Sequence, residues 1–153
     1  VTALCVLGDG RVASGSWDET IKIWNTVTGQ CDLTLTGHSG GVTALCVLGD
    51  DRVASGSFDQ TIKIWNTDTG QCDVTLTGHS GWVTALCVLG DGRVASGSWD
   101  ETIKIWNTET GHCDLILTGH REWVSAICVL GDGRVASGSR PSRYGTQGRA
   151  SAT

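Results

Sequence analysis

The amino-acid sequence repeats itself with a period of 41 residues, and this feature constrains the fold more than any other. The segment Val-Thr-Ala-Leu-Cys-Val-Leu begins at Val1, returns unchanged at Val42 and Val83, and recurs with two conservative changes at Val124. The first two units differ from each other at only six positions. Units of this length each form one supersecondary structure, and a unit that cannot bury its apolar surface alone does so against its neighbours.

Each unit is predicted to form four short β-strands. Residues 1–7 alternate and are rich in β-branched side chains, and a Gly-Asp-Gly turn follows them. The remaining strands are predicted at residues 11–16, 20–24 and 31–35, and no stretch shows helical periodicity. A four-stranded sheet with two apolar faces needs another sheet on each side. We therefore predict an all-β fold, a β-propeller fragment built of four-stranded antiparallel blades.

Three short motifs return along the chain: a Gly-His pair, a Ser-Gly-Ser-x-Asp turn and an Ile-Lys-Ile-Trp-Asn strand. Over residues 1–139 these motifs resemble those of the WD40 family. The departure is an asparagine in place of the final aspartate of the Trp-Asp pair, at Asn25, Asn66 and Asn107, which keeps the acceptor oxygen and loses the charge. The near-identity of the repeats is also similar to the amplified arrays of some large NLR-like signalling proteins.

The unit boundaries predict about three and a half blades. The complete blades are expected at residues 1–36, 42–77 and 83–118, and the half blade at residues 124–139. The resemblance to the WD40 family implies that a ring usually needs more blades, so we expect an incomplete ring. Uncovered sheet faces and edges would then be covered by further blades or by self-association.

The last segment, residues 140–153, abandons the repeat. It has no strand alternation, and its composition predicts a disordered basic tail. Codons that encode this tail, read in a shifted frame, also encode Glu-Thr-Ile-Lys-Ile-Trp-Asn-Thr, which is what the repeat requires. We interpret the tail as the product of a frameshift, with two codons and one base lost after Ser139; gene codons that do not restore the repeat would exclude this.

A serine, a histidine and an aspartate return in the units, which raises the question of a hydrolase. The resemblance to the family implies instead that they form a buried hydrogen-bond network with a tryptophan, a sensible arrangement for buried polar groups. An enzyme needs one exposed nucleophile and an oxyanion site, so we predict no catalytic residue and no enzyme. The predicted network residues are His38, Ser55, Asp59 and Trp65; His79, Ser96, Asp100 and Trp106; and Ser14, Asp18 and Trp24.

Near-identical repeats serve as an internal comparison, because shared positions meet the same packing demand. Many of the differences fall in the turn after the second strand and in the loop after the Gly-His pair, which lie at the same end of an up-and-down blade. Aromatic residues and arginine are typical of binding hot spots, so we predict a protein-binding face here; packing over the blade edges is the alternative for the rings. The face comprises Trp17, Glu19, Phe58, Gln60, Trp82, Trp99, Glu101, Arg121, Glu122 and Trp123.

Two further series follow the repeat. The seven cysteines lie inside apolar stretches without Cys-x-x-Cys or zinc spacing, and we interpret them as buried free thiols. This favours a reducing, intracellular compartment, either cytoplasmic or nuclear. The arginines Arg11, Arg52, Arg93 and Arg134 are interpreted as solvated strand starts.

Composition limits the partners. The net charge is −5 and the only lysines are one repeated position, which argues against nucleic acid. No apolar run approaches the roughly 18 residues of a membrane span, and we predict no metal and no cofactor. The favoured function is a protein–protein interaction scaffold that binds its partner through the Trp-rich loop face. The alternative is a ligand-sensing repeat array of a larger NLR-like signalling protein.

Overall fold

The computed structural model describes residues 1–49 and 51–141. The frameshifted tail predicted from the sequence falls largely on residues 142–153, outside the described residues. Within the described part every regular element is a β-strand, and the strands form antiparallel sheets. The predicted all-β fold is confirmed.

Three four-stranded blades and one two-stranded half blade follow one another along the chain, with the strands of each blade paired in sequence order. The first blade contains β1 (Ala3–Val6), β2 (Val12–Gly15), β3 (Ile21–Trp24) and β4 (Cys31–Leu35). The second contains β5 (Val42–Gly49), β6 (Arg52–Ser57), β7 (Ile62–Asn66) and β8 (Cys72–Leu76). The third contains β9 (Val83–Val88), β10 (Val94–Ser98), β11 (Ile103–Trp106) and β12 (Cys113–Leu117). The half blade contains β13 (Val124–Val129) and β14 (Val135–Ser139).

Strand β3 shows how alternation in the sequence becomes a blade. Ile21 and Ile23 have no exposed surface and enter the core between blades, whereas Lys22 between them points away. The Lys22 ammonium donates to Oγ1 of Thr34 on the neighbouring strand β4. Successive residues of a strand face opposite sides of the sheet, so the Ile-Lys-Ile pattern fixes which residues reach the core.

A valine of each blade fits against a glycine of the preceding one. A Cβ atom on Gly15 would lie 2.6 Å from Cγ1 of Val42, and one on Gly56 would lie 2.6 Å from Cγ1 of Val83. Val42 and Val83 have no exposed surface. The glycine is therefore required by the close approach of the next blade, and a larger residue there would push the blades apart.

The innermost strands are also joined between blades by hydrogen bonds. Thr43 Oγ1 donates to the carbonyl oxygen of Gly56 in its own blade and to that of Val83 in the next. Thr2 bonds in the same way to Gly15 and Val42. Each first strand therefore positions the following blade as well as its own.

The cysteines differ from the sequence interpretation. Cys5, Cys46 and Cys87 on the innermost strands are half-buried. Cys31, Cys72 and Cys113 on the outermost strands are exposed, and so is Cys128 on the first strand of the half blade. The prediction that all of them are buried is wrong, because an apolar stretch does not reveal which strand forms the outer edge of a blade. All seven thiols are free.

The ring is open in the described chain. Val1, Leu4 and Val6 of the first blade are 80%, 65% and 69% exposed. On the last sheet of the described chain, nothing lies within 4 Å of a Cβ built on Gly138. The equivalent glycine of each complete blade packs against a valine of the next blade. Both end faces thus carry the surfaces that the internal blade interfaces bury.

Candidate protein-binding face

Five aromatic side chains form one continuous row at the end of the blades that the sequence comparison singled out. The turns after the second strands supply three of them, and the loops that lead into the third blade and the half blade supply two. We call this row the aromatic ladder. Its members, in spatial order, are Trp17, Phe58, Trp82, Trp99 and Trp123.

Neighbouring rings of the ladder are in contact. The centroids of Trp17 and Phe58 lie 5.3 Å apart, edge to face, and those of Phe58 and Trp82 lie 4.4 Å apart. Trp99 continues the row at 4.3 Å from Trp82 and 5.0 Å from Trp123. Two of these separations lie within the range of about 4.5–7 Å that favourable aromatic pairs prefer and two lie just below it; such a pair contributes about 0.5–1.5 kcal/mol beyond the area it buries.

The ladder is stacked on itself but remains open to solvent. Trp17 is 70% exposed, Trp99 is 43% exposed and Trp82 is 38% exposed, while Phe58 and Trp123 are half-buried. The rings therefore pack against one another, and contact with a partner stays a prediction for their exposed surface. The rings hold one another in place and still present an apolar strip.

An aspartate fixes the turn that carries each of the three turn aromatics. Asp18 Oδ1 accepts hydrogen bonds from the backbone N–H and the hydroxyl of Thr20. Asp59 and Asp100 make the same pair of bonds in their blades. The residue between aspartate and threonine then adopts a left-handed conformation, with φ of 72° at Glu19 and Gln60 and 69° at Glu101. All three of these side chains are exposed.

The loop before each first strand decides how many rings the ladder holds. Gly41 occupies the position that Trp82 and Trp123 fill in later units, and a Cβ there would lie 3.2 Å from Cδ2 of Phe58. The backbone bond at this site is kept either way, since Gly41 O accepts from Phe58 N and Trp82 O accepts from Trp99 N.

The third loop departs from the first two. Arg121 is exposed and Glu122 is half-buried. In the earlier loops the position of Glu122 is a glycine, and a Cβ on Gly81 would meet the backbone nitrogen of Asp100 at 2.6 Å. In the half blade Pro141 stands in place of this aspartate.

The structure brings the predicted network residues of the second blade together. His38 lies with Nδ1 2.7 Å from Oδ2 of Asp59 and with Nε2 2.7 Å from Oγ of Ser55. The indole N–H of Trp65 donates to the same Ser55 oxygen at 2.8 Å. His79, Ser96, Asp100 and Trp106 repeat this geometry in the third blade, with distances of 2.6–2.7 Å for the corresponding bonds.

Protonation states follow from the directions of the bonds and from burial. Burial lowers the pKa of His38 below its ordinary value, even though the bond to Asp59 opposes this. Burial raises the pKa of Asp59, but bonds from Thr61 and His38 outweigh it and leave that pKa lowered. A neutral imidazole donates Nδ1–H to the carboxylate and accepts the Ser55 hydroxyl at Nε2.

This arrangement has the hydrogen bonds of a hydrolytic triad, but a substrate cannot reach the serine hydroxyl. Ser55 and Ser96 have no exposed surface, and each oxygen also accepts an indole N–H. A catalytic nucleophile has to meet its substrate, and these hydroxyls cannot. The network satisfies its own buried polar groups and ties the turn, the loop and the second strand of a blade together.

The outer units carry only parts of the network. In the first blade Trp24 donates to Ser14 at 2.8 Å, and Asp18 is exposed. In the half blade His120 reaches Ser137 at 2.7 Å. The two complete networks therefore lie in the second and third blades.

Ion pairs that the sequence interpretation missed join the blades at the opposite end. Arg11 Nη2 lies 2.9 Å from Oδ1 of Asp68, and Arg52 Nη1 lies 3.0 Å from Oε1 of Glu109. Each arginine thus reaches a position of the next blade at which the repeats differ. The interpretation of Arg11 and Arg52 as merely solvated strand starts is wrong.

Among residues 1–49 and 51–141, no group of histidine, cysteine, aspartate or glutamate side chains is arranged to hold a metal ion. No helical segment in the same ranges is long and apolar enough to cross a membrane.

Comparison with known proteins places this geometry in a family. A family model described as WD domain, G-beta repeat matches residues 1–25, 29–66, 70–107 and 111–142. The WD40 beta propeller domain of Doa1, known from a crystal structure, is similar with a TM-score of 0.80 and 28% sequence identity. That similarity covers 84% of this chain and 43% of that one.

Two curated relatives match over shorter segments. F-box/WD repeat-containing protein 7 of Drosophila melanogaster is 50% identical over 42 residues, which is 28% of this chain and 3% of that protein. Nuclear distribution protein PAC1 of Mycosarcoma maydis is 58% identical over 31 residues, or 20% of this chain and 7% of that protein. The chain spans less than half the length of each of these three relatives.

Proposed function

The chain belongs to the WD40 family of WD domain, G-beta repeat proteins, and from that premise we propose that it is an interaction scaffold that binds a protein partner on the aromatic ladder. Domains of this family generally serve as protein-interaction scaffolds. The observation that carries the proposal is the row of five contacting rings, three of them more than one-third exposed.

The internal repeats argue that the fold alone does not require every ring. Gly41 occupies the first of three equivalent loop positions, and that loop keeps the same backbone bond as the loop that carries Trp82. This backbone hydrogen bond therefore does not require a tryptophan at the other two positions. Exposed aromatic rings in a contiguous patch are characteristic of interaction sites.

Removal of two rings tests the proposal. The double variant Trp82→Gly/Trp123→Gly places at both positions the residue that Gly41 shows to be compatible with the loop. Hot-spot aromatics typically contribute about 2 kcal/mol or more each to binding. We expect the variant to lose most of the partner captured from a lysate of the source cell, while the lost ring contacts cost about 1 kcal/mol of stability each.

Val27→Ser is the matched control, because Val27 is 93% exposed and lies at the opposite end of the blades. It should leave both capture and melting unchanged. Melting that falls sharply in the double variant while the captured partners stay the same would show that the rings are packing, and the proposal would be wrong.

We also propose that further repeats, of the same chain or of a second copy, cover the two end faces. Val1 is 80% exposed, whereas Val42 has no exposed surface because it lies against Gly15. The open site at Gly138 offers an incoming valine the same environment. The 153-residue chain should associate in sedimentation experiments, and Gly138→Leu should weaken this association. A monodisperse wild-type monomer with a cooperative melt would contradict the proposal.

A reducing compartment, the cytosol or nucleus, is proposed as the place of action, since exposed free thiols such as Cys31 persist best where disulfides are rare. Full retention of the native fold and free thiols after secretion through an oxidising compartment would count against it. No observation on the described residues favours the alternative of an NLR-like sensor array.

A further inference from the structure

We propose that the aromatic ladder recognises a cationic segment of its partner, one in which arginine side chains lie between the exposed indoles and the carboxylates of Glu19 and Glu101. This inference rests on the proposed function and adds the chemistry of the partner. The observation that carries it is the conformation of the turn residues beside the ladder.

Glu19, Gln60 and Glu101 occupy a position that suits glycine better than any other residue. Their φ angles of 69–72° lie in the left-handed region, which disfavours side chains with a Cβ atom. Elsewhere in the repeats, left-handed positions are mostly glycine, as at Gly10 and Gly92. A long polar side chain is therefore held at the tip of each turn against local conformational preference. Such backbone outliers are a warrant for a functional hypothesis.

The charges at these turns favour a cation. Glu19 and Glu101 each stand two residues after an exposed tryptophan of the ladder, and both carboxylates are exposed. Within the described residues neither of them forms an ion pair. Two cationic side chains lie at this end of the blades, Arg121 in the third loop and Arg140 in the turn of the half blade, and both lie at the Trp123 end of the ladder. The part of the face from Trp17 to Trp99 is therefore acidic.

Aromatic rings and carboxylates together suit arginine. A guanidinium is planar and weakly hydrated, so it stacks on an indole while donating hydrogen bonds to a carboxylate in the same plane. A lysine ammonium makes the same charge contact without the stacking. The ladder should thus bind arginine-containing segments more tightly than lysine-containing ones, and acidic segments least.

Synthetic peptides provide the probe. Labelled peptides in which serine alternates with arginine, lysine or glutamate are titrated with the full 153-residue chain and followed by fluorescence anisotropy. We expect the Arg–Ser peptide to bind best, and Glu19→Gly/Glu101→Gly to weaken it about tenfold or more. Gln60→Glu supplies a third carboxylate and should tighten binding severalfold.

The left-handed backbone at these turns predicts the effect of glycine on stability and supplies a control position. Glu19→Gly/Glu101→Gly should melt at the same temperature as the wild type or higher, because glycine accepts the left-handed backbone. Asp51→Gly is the control, since Asp51 also has a left-handed backbone, with φ of 57°, but lies in the first turn of the second blade at the opposite end. It should not change peptide binding.

Three results would overturn the inference: absent binding of the Arg–Ser peptide, equal binding of the Glu–Ser peptide, or unchanged binding by Glu19→Gly/Glu101→Gly. These failures are separable from failure of the proposed function. If Trp82→Gly/Trp123→Gly still loses its captured partner, the ladder is the contact site and only the cationic character of the partner is wrong.

Discussion

The indole N–H of Trp65 donates to Oγ of Ser55 at 2.8 Å, and the same oxygen lies 2.7 Å from Nε2 of His38. The serine hydroxyl thus connects the third strand of a blade with the loop that precedes its first strand. His38 carries the connection on to Asp59, whose other oxygen fixes the turn of the ladder. The buried network therefore supports the exposed aromatic face.

His79→Ala should destabilise the fold by about 1–3 kcal/mol, because it leaves the buried hydroxyl of Ser96 and the carboxylate of Asp100 without their shared partner. His120→Ala is the matched control: His120 bonds Ser137 at an exposed site and lacks an aspartate there. Its cost should stay within about 0.5 kcal/mol. Thermal melts of the two variants check this, and equal losses would argue against the network as a source of stability.

The buried histidines predict a loss of stability on acidification. Burial lowers the pKa of His38 and His79 below 6.5. As the pH falls, these histidines are therefore protonated in the unfolded chain before they are protonated in the folded chain. The free energy of unfolding should be constant above about pH 7.5 and fall as the pH is lowered from about 7 to about 5. The lowered pKa values of Asp59 and Asp100 add a further loss at more acidic pH. Denaturant titrations at several pH values measure this; stability that rises between pH 7 and 5 would mean that the folded histidines are protonated.

Asp51→Gly should stabilise the protein by about 0.5–1 kcal/mol. Asp51 has a left-handed backbone, and the equivalent turns place Gly10, Gly92 and Gly133 there with φ of 83–87°. Glycine removes the conformational cost of the Cβ atom, although its greater freedom in the unfolded chain offsets part of the gain. A lower melting temperature of the variant would show that the Asp51 side chain makes a stabilising contact.

Thiol reactivity should follow the exposure of each cysteine side chain. Cys31, Cys72 and Cys113 are exposed on the outermost strands. Burial raises the pKa of Cys46 to about 12, which leaves almost no thiolate at neutral pH. Brief alkylation of the folded chain, read by mass spectrometry, should modify these three cysteines and the exposed Cys128 of the half blade, and should spare Cys46. Equally rapid modification of Cys46 would require the innermost strands to open.

The repeat allowed the strands to be predicted because each has a clear local signature. The Ile-Lys-Ile-Trp pattern predicted the third strand of the first blade at residues 20–24, and the structure forms it at Ile21–Trp24. Comparison of the units also located the variable turns and loops. What these positions bind stays a prediction, because a difference between repeats identifies a variable position but not the molecule that contacts it.

Contacts between blades could not be predicted from local sequence patterns. Arg11 and Asp68 are 57 positions apart and meet only because successive blades stack. Trp17 and Phe58 contact each other for the same reason, so the ladder could not be recognised as a stacked row from the units alone. The exposure of Cys31 depends on which strand ends a blade, and alternation within a strand carries no such information.

The location of the partner tests the account most directly. Hydroxyl-radical footprinting of the chain, alone and bound to the partner that it captures, reports the change in accessibility of each side chain. Trp17, Trp82 and Trp99 are exposed enough to be oxidised in the free chain. We expect all three to become protected on binding, while Val27, at the other end of the blades, does not. Protection of Val27 with unchanged oxidation of the three tryptophans would contradict it.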